Sequence, residues 1–288
     1  AKREGAVTGT VMLLTKPIPL TGLSIMYSPR GPVFNLRDRE TWKSLLDGIR
    51  IEARKNRAIF LRIDPNITED SILINGYDPF SDAGFIDLKE RWSFWNAPSD
   101  VYRTDLSKAE DEWQLFNRMS PKARTGIRKS QKDGVTIHHG TSLNHVAIFY
   151  NIFRDFAVSK GFMYRKFEYQ KRLWSEYIST GNGVLFMAIF KGTIVGGQIC
   201  LRFGSLCVEM HRCVDHQYHK HRINEALVWE GIKWAKKNGC RWYCQRGWSS
   251  PSLSKFKEKF SADLVPLAGY YDFPYYPGLY RLFYTIEY

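Results

Sequence analysis

VLFMAIFKGTIVGGQICLRFGSLCVEMHRCV, residues 184–214, is the stretch on which the fold is read. Three apolar runs, 184–190, 193–203 and 206–214, are rich in β-branched and aromatic residues. The connectors KGT and GS are of hairpin type, so the runs read as three consecutive antiparallel strands. Downstream, a helix at 223–237 is closed by Asn238-Gly239, the strand RWYCQ follows, and 251–260 is a last helix. Upstream, helices are expected at about 167–179 and at 143–160, the latter closed by Gly161. Before them lie the strand VTIHHG (135–140) and a basic helix, 120–132, with Ser120 at N-cap and Pro121 at N1. A helix at 109–116 and the short strand VYRTDL, from Val101, open this half.

The first hundred residues carry a similar but less regular series. Residues 8–15 and 23–27 read as a strand pair, and SPRGPV (28–33) as a rigid turn. Trp42, Leu45, Leu46, Ile49 and Ala53 recur at helical spacing within 41–57, and AIFLRID (58–64) is a buried strand. Residues 65–98 read as loop and short helix, and the aromatic, Pro-rich tail 270–288 shows no clear periodicity. Helices alternating with antiparallel hairpins give an α/β (α+β) class with mixed sheets.

Composition narrows the function. The chain of 288 residues is 44% hydrophobic and 25% charged, as in a globular protein of two domains. No run of 18 apolar residues and no apolar leader occurs, and the chain opens without Met on strand-like sequence, so an N-terminal piece is expected to be missing. A net charge of +13 favours a polyanionic partner: nucleic acid, a nucleotide sugar or an anionic membrane surface. Five cysteines without a CxxC pair point to reduced thiols in a cytoplasmic protein, with Cys200 and Cys207 as core residues. The seven histidines lack metal-ligand spacing, and no metal is expected.

The element order from Val101 onward resembles that of GCN5-related acyltransferases (GNAT). Their central helix opens with Arg/Gln-x-x-Gly-x-Gly/Ala, whose bare amides cradle a pyrophosphate. Here the corresponding stretch is HKHRIN (219–224), with His219, Arg222 and Asn224 in those slots. Side chains fill the cradle, which disfavours acetyl-CoA.

The residues resemble the FemABX family of aminoacyl-tRNA-dependent peptidyltransferases over nearly the whole chain. The resemblance rests on YSPRGPV (27–33), LRIDP (61–65), KARTGIRKSQKDGVTIHHG (122–140), AVSKGFMYRKFEYQKRLW (157–174), INEALVWEGIKWA (223–235) and SLSKFKEKF (252–260). Single-chain FemX-like members look most similar, and no coiled-coil hairpin is expected. The resemblance implies two GNAT-like domains, each a mixed, largely antiparallel sheet flanked by helices. The first is expected at 1–98 plus 265–288, the second, with the aminoacyl-tRNA channel, at 99–264. It further implies a cleft between them for the cell-wall precursor.

The family's Phe-Lys pair falls on Phe256 and Lys257. The aminoacyl ester of tRNA is already activated, so one ammonium placed at the developing oxyanion suffices for catalysis. The resemblance assigns Arg165 and Tyr169 to the precursor's uridine diphosphate, where a guanidinium fork fits a diphosphate. They share a helix face if that helix starts early enough. Lys122, Arg124, Arg128, Lys129 and Lys132 form a basic stripe facing tRNA or phosphate, or else an ordinary solvated face; Arg103 and Lys108 extend it.

The chain also departs from the family. The family's Tyr-Asp-Leu-Gly-Gly reads YCQRGW here (243–248), with Arg246 near the channel, and a strand tyrosine falls near Met210 or His211. His211 is placed either to replace its hydrogen bond or, as is commoner for a lone strand histidine, to serve a structural role. Asp105, Glu209 and Asp215 are available carboxylates, and proton transfer through the tRNA's terminal ribose is an equal alternative. The implied partners are aminoacyl-tRNA as co-substrate, with no other cofactor, and UDP-muramyl-pentapeptide or lipid II as acceptor. A monomer working at the inner membrane surface is expected. Two other classes stay open: an acyl-CoA-dependent N-acyltransferase and a non-catalytic tRNA-binding module.

Overall fold

The computed structural model describes residues 1–73, 76–88, 100–245 and 250–287. In chain order its main elements begin with β1 (Leu14–Ile18), β2 (Leu23–Arg30), α1 (Arg39–Lys55), β3 (Ala58–Pro65) and β4 (Ile86–Asp87). Next come β5 (Asp100–Asp105), α2 (Glu112–Arg118), α3 (Pro121–Lys132), β6 (Thr136–His139), α4 (Leu143–Ser159) and α5 (Phe167–Leu173). The remainder are β7 (Gly183–Phe190), β8 (Thr193–Phe203), β9 (Leu206–Val214), α6 (Ile223–Lys237), β10 (Trp242–Gln245), α7 (Pro251–Glu258), β11 (Ala262–Pro266), β12 (Tyr271–Pro274) and α8 (Pro277–Glu287). Two compact units result: residues 1–100 with 265–288, and residues 101–264.

Among the described residues the first unit holds a sheet in the order β1-β2-β3-β12-β4, parallel only at β2/β3. Helix α1 is capped by Asp38, whose carboxylate accepts from the Thr41 N–H, and buries Trp42, Leu45, Ile49 and Ala53 against that sheet. The motifs YSPRGPV and LRIDP are neighbours here, because β2 and β3 pair with Tyr27 opposite Arg62 and Pro29 opposite Asp64. Buried Asp64 accepts from the Arg30 N–H at 2.5 Å.

The tail is ordered into β12 and α8. Its helical signal is carried by aromatics: Tyr280, Phe283 and Tyr284 lie at i, i+3, i+4 and pack on Ile59 and Phe60. Exposed Leu279 and Leu282 interrupt the pattern, so the sequence shows no clean period there. Arg62 and Asp272, which is 0% exposed, form a buried bidentate pair at 2.8 and 2.9 Å across β3 and β12. Tyr280 and Tyr284 both donate to that carboxylate, at 3.0 and 2.6 Å.

The second unit holds, among the described residues, a sheet in the order β6-β7-β8-β9-β10-β5-β11, with β9/β10 parallel. Helices α2, α3, α6 and α7 cover one face around Leu227, Val228, Ile232 and Phe260; α4 and α5 cover the other around Val146, Phe149 and Ile199. Each fully buried side chain of this kind contributes ~1.5–3 kcal/mol. Gly197 is required on β8, since a Cβ there would lie 2.6 Å from the Phe186 carbonyl and 2.8 Å from the Phe149 ring.

Several boundaries differ from the sequence reading. The expected 109–116 helix starts later, at Glu112, where Asp111 accepts from the Gln114 N–H. The 167–179 helix is α-helical only to Leu173 and continues as a π-type turn through Ile178. All five cysteines are buried and reduced. No described helix is long and apolar enough to cross a membrane.

Candidate active site

The site in the second unit begins with strand register. β9 and β10 pair in parallel from Leu206/Trp242 to Glu209/Gln245, and β10 pairs with β5 so that Gln245 faces Tyr102. Residues paired directly across strands share a face. Glu209, Gln245 and Tyr102 therefore form a lateral row on the α6/α7 side.

A β-bulge sets what stands beside that row. Ile199 pairs with His211 while Cys200 pairs with Glu209, so Met210 is the extra residue in β9. Past the bulge the alternation reverses, and Glu209 and Arg212, three apart, come to the same face. Arg212 Nε donates to Glu209 Oε1 at 3.0 Å, and Arg212 Nη1 to Asn224 Oδ1 at 2.7 Å. The guanidinium also lies 4.9 Å over the Phe256 ring. Tyr243 O–H donates to Glu209 Oε2 at 2.9 Å and accepts from Gln198 Nε2 at 2.9 Å.

Helix α7 brings the lysine. Ser250 caps it, accepting from the Leu253 N–H, and Pro251 occupies the first turn. Its neighbours divide by face: Lys255 is exposed, whereas Lys257 is 6% exposed. Lys257 Nζ lies 5.0 Å from the centroid of the Tyr102 ring, so it stands above one end of the row. Burial holds its pKa below the ordinary lysine range; Glu209 opposes that shift and Arg212 adds to it. Phe256 packs on Phe260 at 5.3 Å and forms the floor under Arg212.

Tyr169 and His211 meet on the opposite face, with ring centroids 6.5 Å apart, and Phe153 lies 4.6 Å from His211. Burial pushes the His211 pKa down to about 4, so its imidazole is neutral at pH 7, and its Nε2 finds no hydrogen-bond partner among the described residues. Arg165 does not share a helix face with Tyr169. The helix starts at Phe167 after Lys166, and Arg165 is exposed in the preceding segment.

The basic stripe on α3 is partly engaged locally. Arg124 donates to the Asn117 carbonyl at 2.8 Å, Arg128 lies over Phe116, and Lys129 pairs with Asp133 at 2.8 Å. Lys122 and Lys132 are exposed. At the start of α6 the cradle positions hold side chains: Arg222 reaches Glu225 at 3.4 Å, Asn224 is held by Arg212, and His219 contacts the Val214 carbonyl. Arg246, Gly247 and Trp248 lie outside the described residues.

Tyr102, Gln198, Arg212, Tyr243 and Gln245 are part of this site, and sequence reasoning did not single them out. Glu209 entered it only as an available carboxylate. Asp105 is occupied as a cap, accepting from the Ser107 N–H and O–H, and Asp215 accepts from the Gln217 N–H. The signal that links the missed residues is register, which no local pattern carries.

The model of the FemAB family matches residues 1–189. A UDP-N-acetylmuramoylpentapeptide-lysine N(6)-alanyltransferase of Weissella viridescens is 23% identical over 273 residues, covering 90% of this chain and 78% of that protein. A lipid II:glycine glycyltransferase of Staphylococcus aureus is 24% identical over 191 residues, 64% of this chain but only 44% of its own length. The crystal structure of FemX superposes with a TM-score of 0.86 at 18% identity, covering 98% of this chain and 88% of the other. A tandem GNAT protein from clavulanic acid biosynthesis superposes with a TM-score of 0.57 at 13% identity, covering 95% and 81%. At these identities the two structures speak to the fold, which is GNAT-like.

Proposed function

The chain belongs to the FemAB family, and on that footing we propose that it moves an amino acid from aminoacyl-tRNA to the peptide amine of a peptidoglycan precursor, UDP-muramyl-pentapeptide or lipid II. The acceptor amine attacks the ester carbonyl carbon, a C–N bond forms, and the tetrahedral oxyanion is neutralised by the Lys257 ammonium. The C–O bond to the ribose then breaks, and the proton lost by the attacking amine passes to the departing ribose oxygen. No covalent enzyme intermediate is needed, because the ester is already activated.

One observation carries this reading: a lysine of α7 is buried on the sheet, 6% exposed, where desolvation disfavours its charged form and an anion born in the reaction offsets that cost. Phe256 fixes the lysine's helix against the core. Arg165 and Tyr169 are assigned to the diphosphate of the acceptor and His211 to its neighbourhood. Lys122, Arg124, Arg128, Lys129 and Lys132 are assigned to the approach of tRNA through the 99–264 domain. The reaction belongs in the cytoplasm, where charged tRNA and the precursor's nucleotide form are found. The start of α6 speaks against an acyl-CoA donor, since the cradle positions carry Arg222 and Asn224, whose side chains bond Glu225 and Arg212, in place of bare glycine backbone.

The test is incubation of the protein with charged tRNAs and either acceptor, read by mass spectrometry. The expected product is the precursor extended by one residue. No product from any charged tRNA with either acceptor overturns the proposal, as does thermal stabilisation by CoA without transfer.

A further inference from the structure

The row from Glu209 to Tyr102 has more hydrogen-bond acceptors than donors. Glu209 Oε1 takes Arg212, and Oε2 takes Tyr243 with a long 3.5 Å approach from Gln245 Nε2. Because Gln245 turns its amide nitrogen toward the carboxylate, its Oε1 points away. That oxygen is buried and has no hydrogen-bond partner among the described residues. Gln198 donates through Nε2 to Tyr243 and to Cys200 Sγ, and its Oε1 is orphaned in the same way. A buried amide oxygen left without a donor keeps the full cost of its desolvation. Two of them beside a carboxylate whose side chain is 12% exposed describe a place short of N–H groups.

The other end of the row has the opposite polarity, with Lys257 above Tyr102. Neighbouring strands lie ~4.8 Å apart, so Gln245 is one such step from Tyr102 and Glu209 two. An aminoacyl ester has matching polarity over that span. Its carbonyl oxygen needs a cation when it becomes an oxyanion. Its α-nitrogen, separated from the carbonyl carbon by a single carbon, is an ammonium with three donors and no acceptor.

We propose that Glu209 and Gln245 hold the α-ammonium of the aminoacyl donor while Lys257 faces its ester carbonyl, so that the site selects donors with an unblocked, charged α-amine. This rests on the transfer reaction proposed above. Arg212 and Tyr243 aim the Glu209 carboxylate, and the α-ammonium supplies the donor that Gln245 Oε1 lacks. A donor without the amine leaves that oxygen unpaired, and sites built to bond a substrate N–H discriminate strongly against analogues lacking it.

The experiment compares two donors on the same tRNA: the aminoacyl form that supports transfer, and its α-hydroxyacyl form made by deamination, which keeps size and loses charge. The native protein is expected to use the aminoacyl donor with kcat/KM ~10²-fold above the hydroxyacyl donor. In Glu209→Gln and in Gln245→Met the ratio is expected to fall to within about tenfold, chiefly through loss on the aminoacyl donor. Two variants are used so that misfolding of one leaves the other to decide, and thermal unfolding reports which of them is folded. Equal use of the two donors by the native protein, or equal losses on both in each folded variant, overturns this inference and leaves the transfer reaction standing. Absence of transfer from either donor overturns the transfer reaction, and this inference with it.

Discussion

Replacing Lys257 by Met removes the ammonium while keeping the length of a side chain that is 6% exposed above Tyr102. A unit charge ~3 Å from a full oxyanion is worth about 5–6 kcal/mol at an effective dielectric of ~20. Arg212 and solvent recover part of that. The remaining ~3–4 kcal/mol corresponds to a loss of ~10²–10³ in kcat. KM for both substrates stays nearly constant, because the oxyanion exists only beyond the ground state. The native enzyme loses kcat as pH rises through the lowered Lys257 pKa, since only the charged form stabilises the oxyanion, and Lys257→Met lacks that limb. Stability moves the other way. The folded-state pKa lies below the unfolded one, so the unfolded chain binds more protons in that window and rising pH favours the native state. At neutral pH the variant, relieved of a buried charge, melts at the same or a higher temperature. Single-turnover transfer of labelled amino acid and parallel thermal unfolding check both statements. A kcat within about threefold of native, or a loss that tracks a fall in Tm, would refute the role.

Asp272→Asn removes the counter-charge of the buried Arg62 guanidinium, so it is expected to cost ~3–5 kcal/mol in urea unfolding. Arg62→Met with Asp272→Leu together cost much less; equal losses in the single and double variants count against that account. His211, held down to about 4 from an ordinary value of about 6.5, remains neutral in the fold while the unfolded chain protonates. Stability therefore declines as pH falls through that window, and His211→Phe, followed by thermal unfolding against pH, flattens the decline. Gly231→Ala places a Cβ 2.5 Å from Gln198 Nε2 and 2.8 Å from Tyr243 Oη, and is expected to cost ~1–3 kcal/mol and to lower kcat by shifting the bond to Glu209. Gly48→Ala on α1 meets open space and is expected to add ~0.5–1 kcal/mol; if both alanines behave alike, the crowding at Gly231 is not what matters.

Local chemistry made most of the elements legible without a structure. Ser120-Pro121 and Ser250-Pro251 start α3 and α7, Gly161 and Gly239 follow α4 and α6 at positive φ, and the three strands of 184–214 are separated by turn residues. Those signals, with the motif series from YSPRGPV to SLSKFKEKF, were enough to point to the family and to single out Lys257. Position along a strand, by contrast, says nothing about which strand lies beside it. Glu209, Gln245 and Tyr102 come from β9, β10 and β5, and become a row only through register. The bulge at Met210 has no local signature, yet it turns Arg212 toward Glu209 and His211 away from it, because one extra residue reverses every later side chain. Whether the lysine at 257 stands in water like its neighbour Lys255 or against the sheet over Tyr102 was settled by packing between elements distant in sequence, where long-range burial outweighs any local preference.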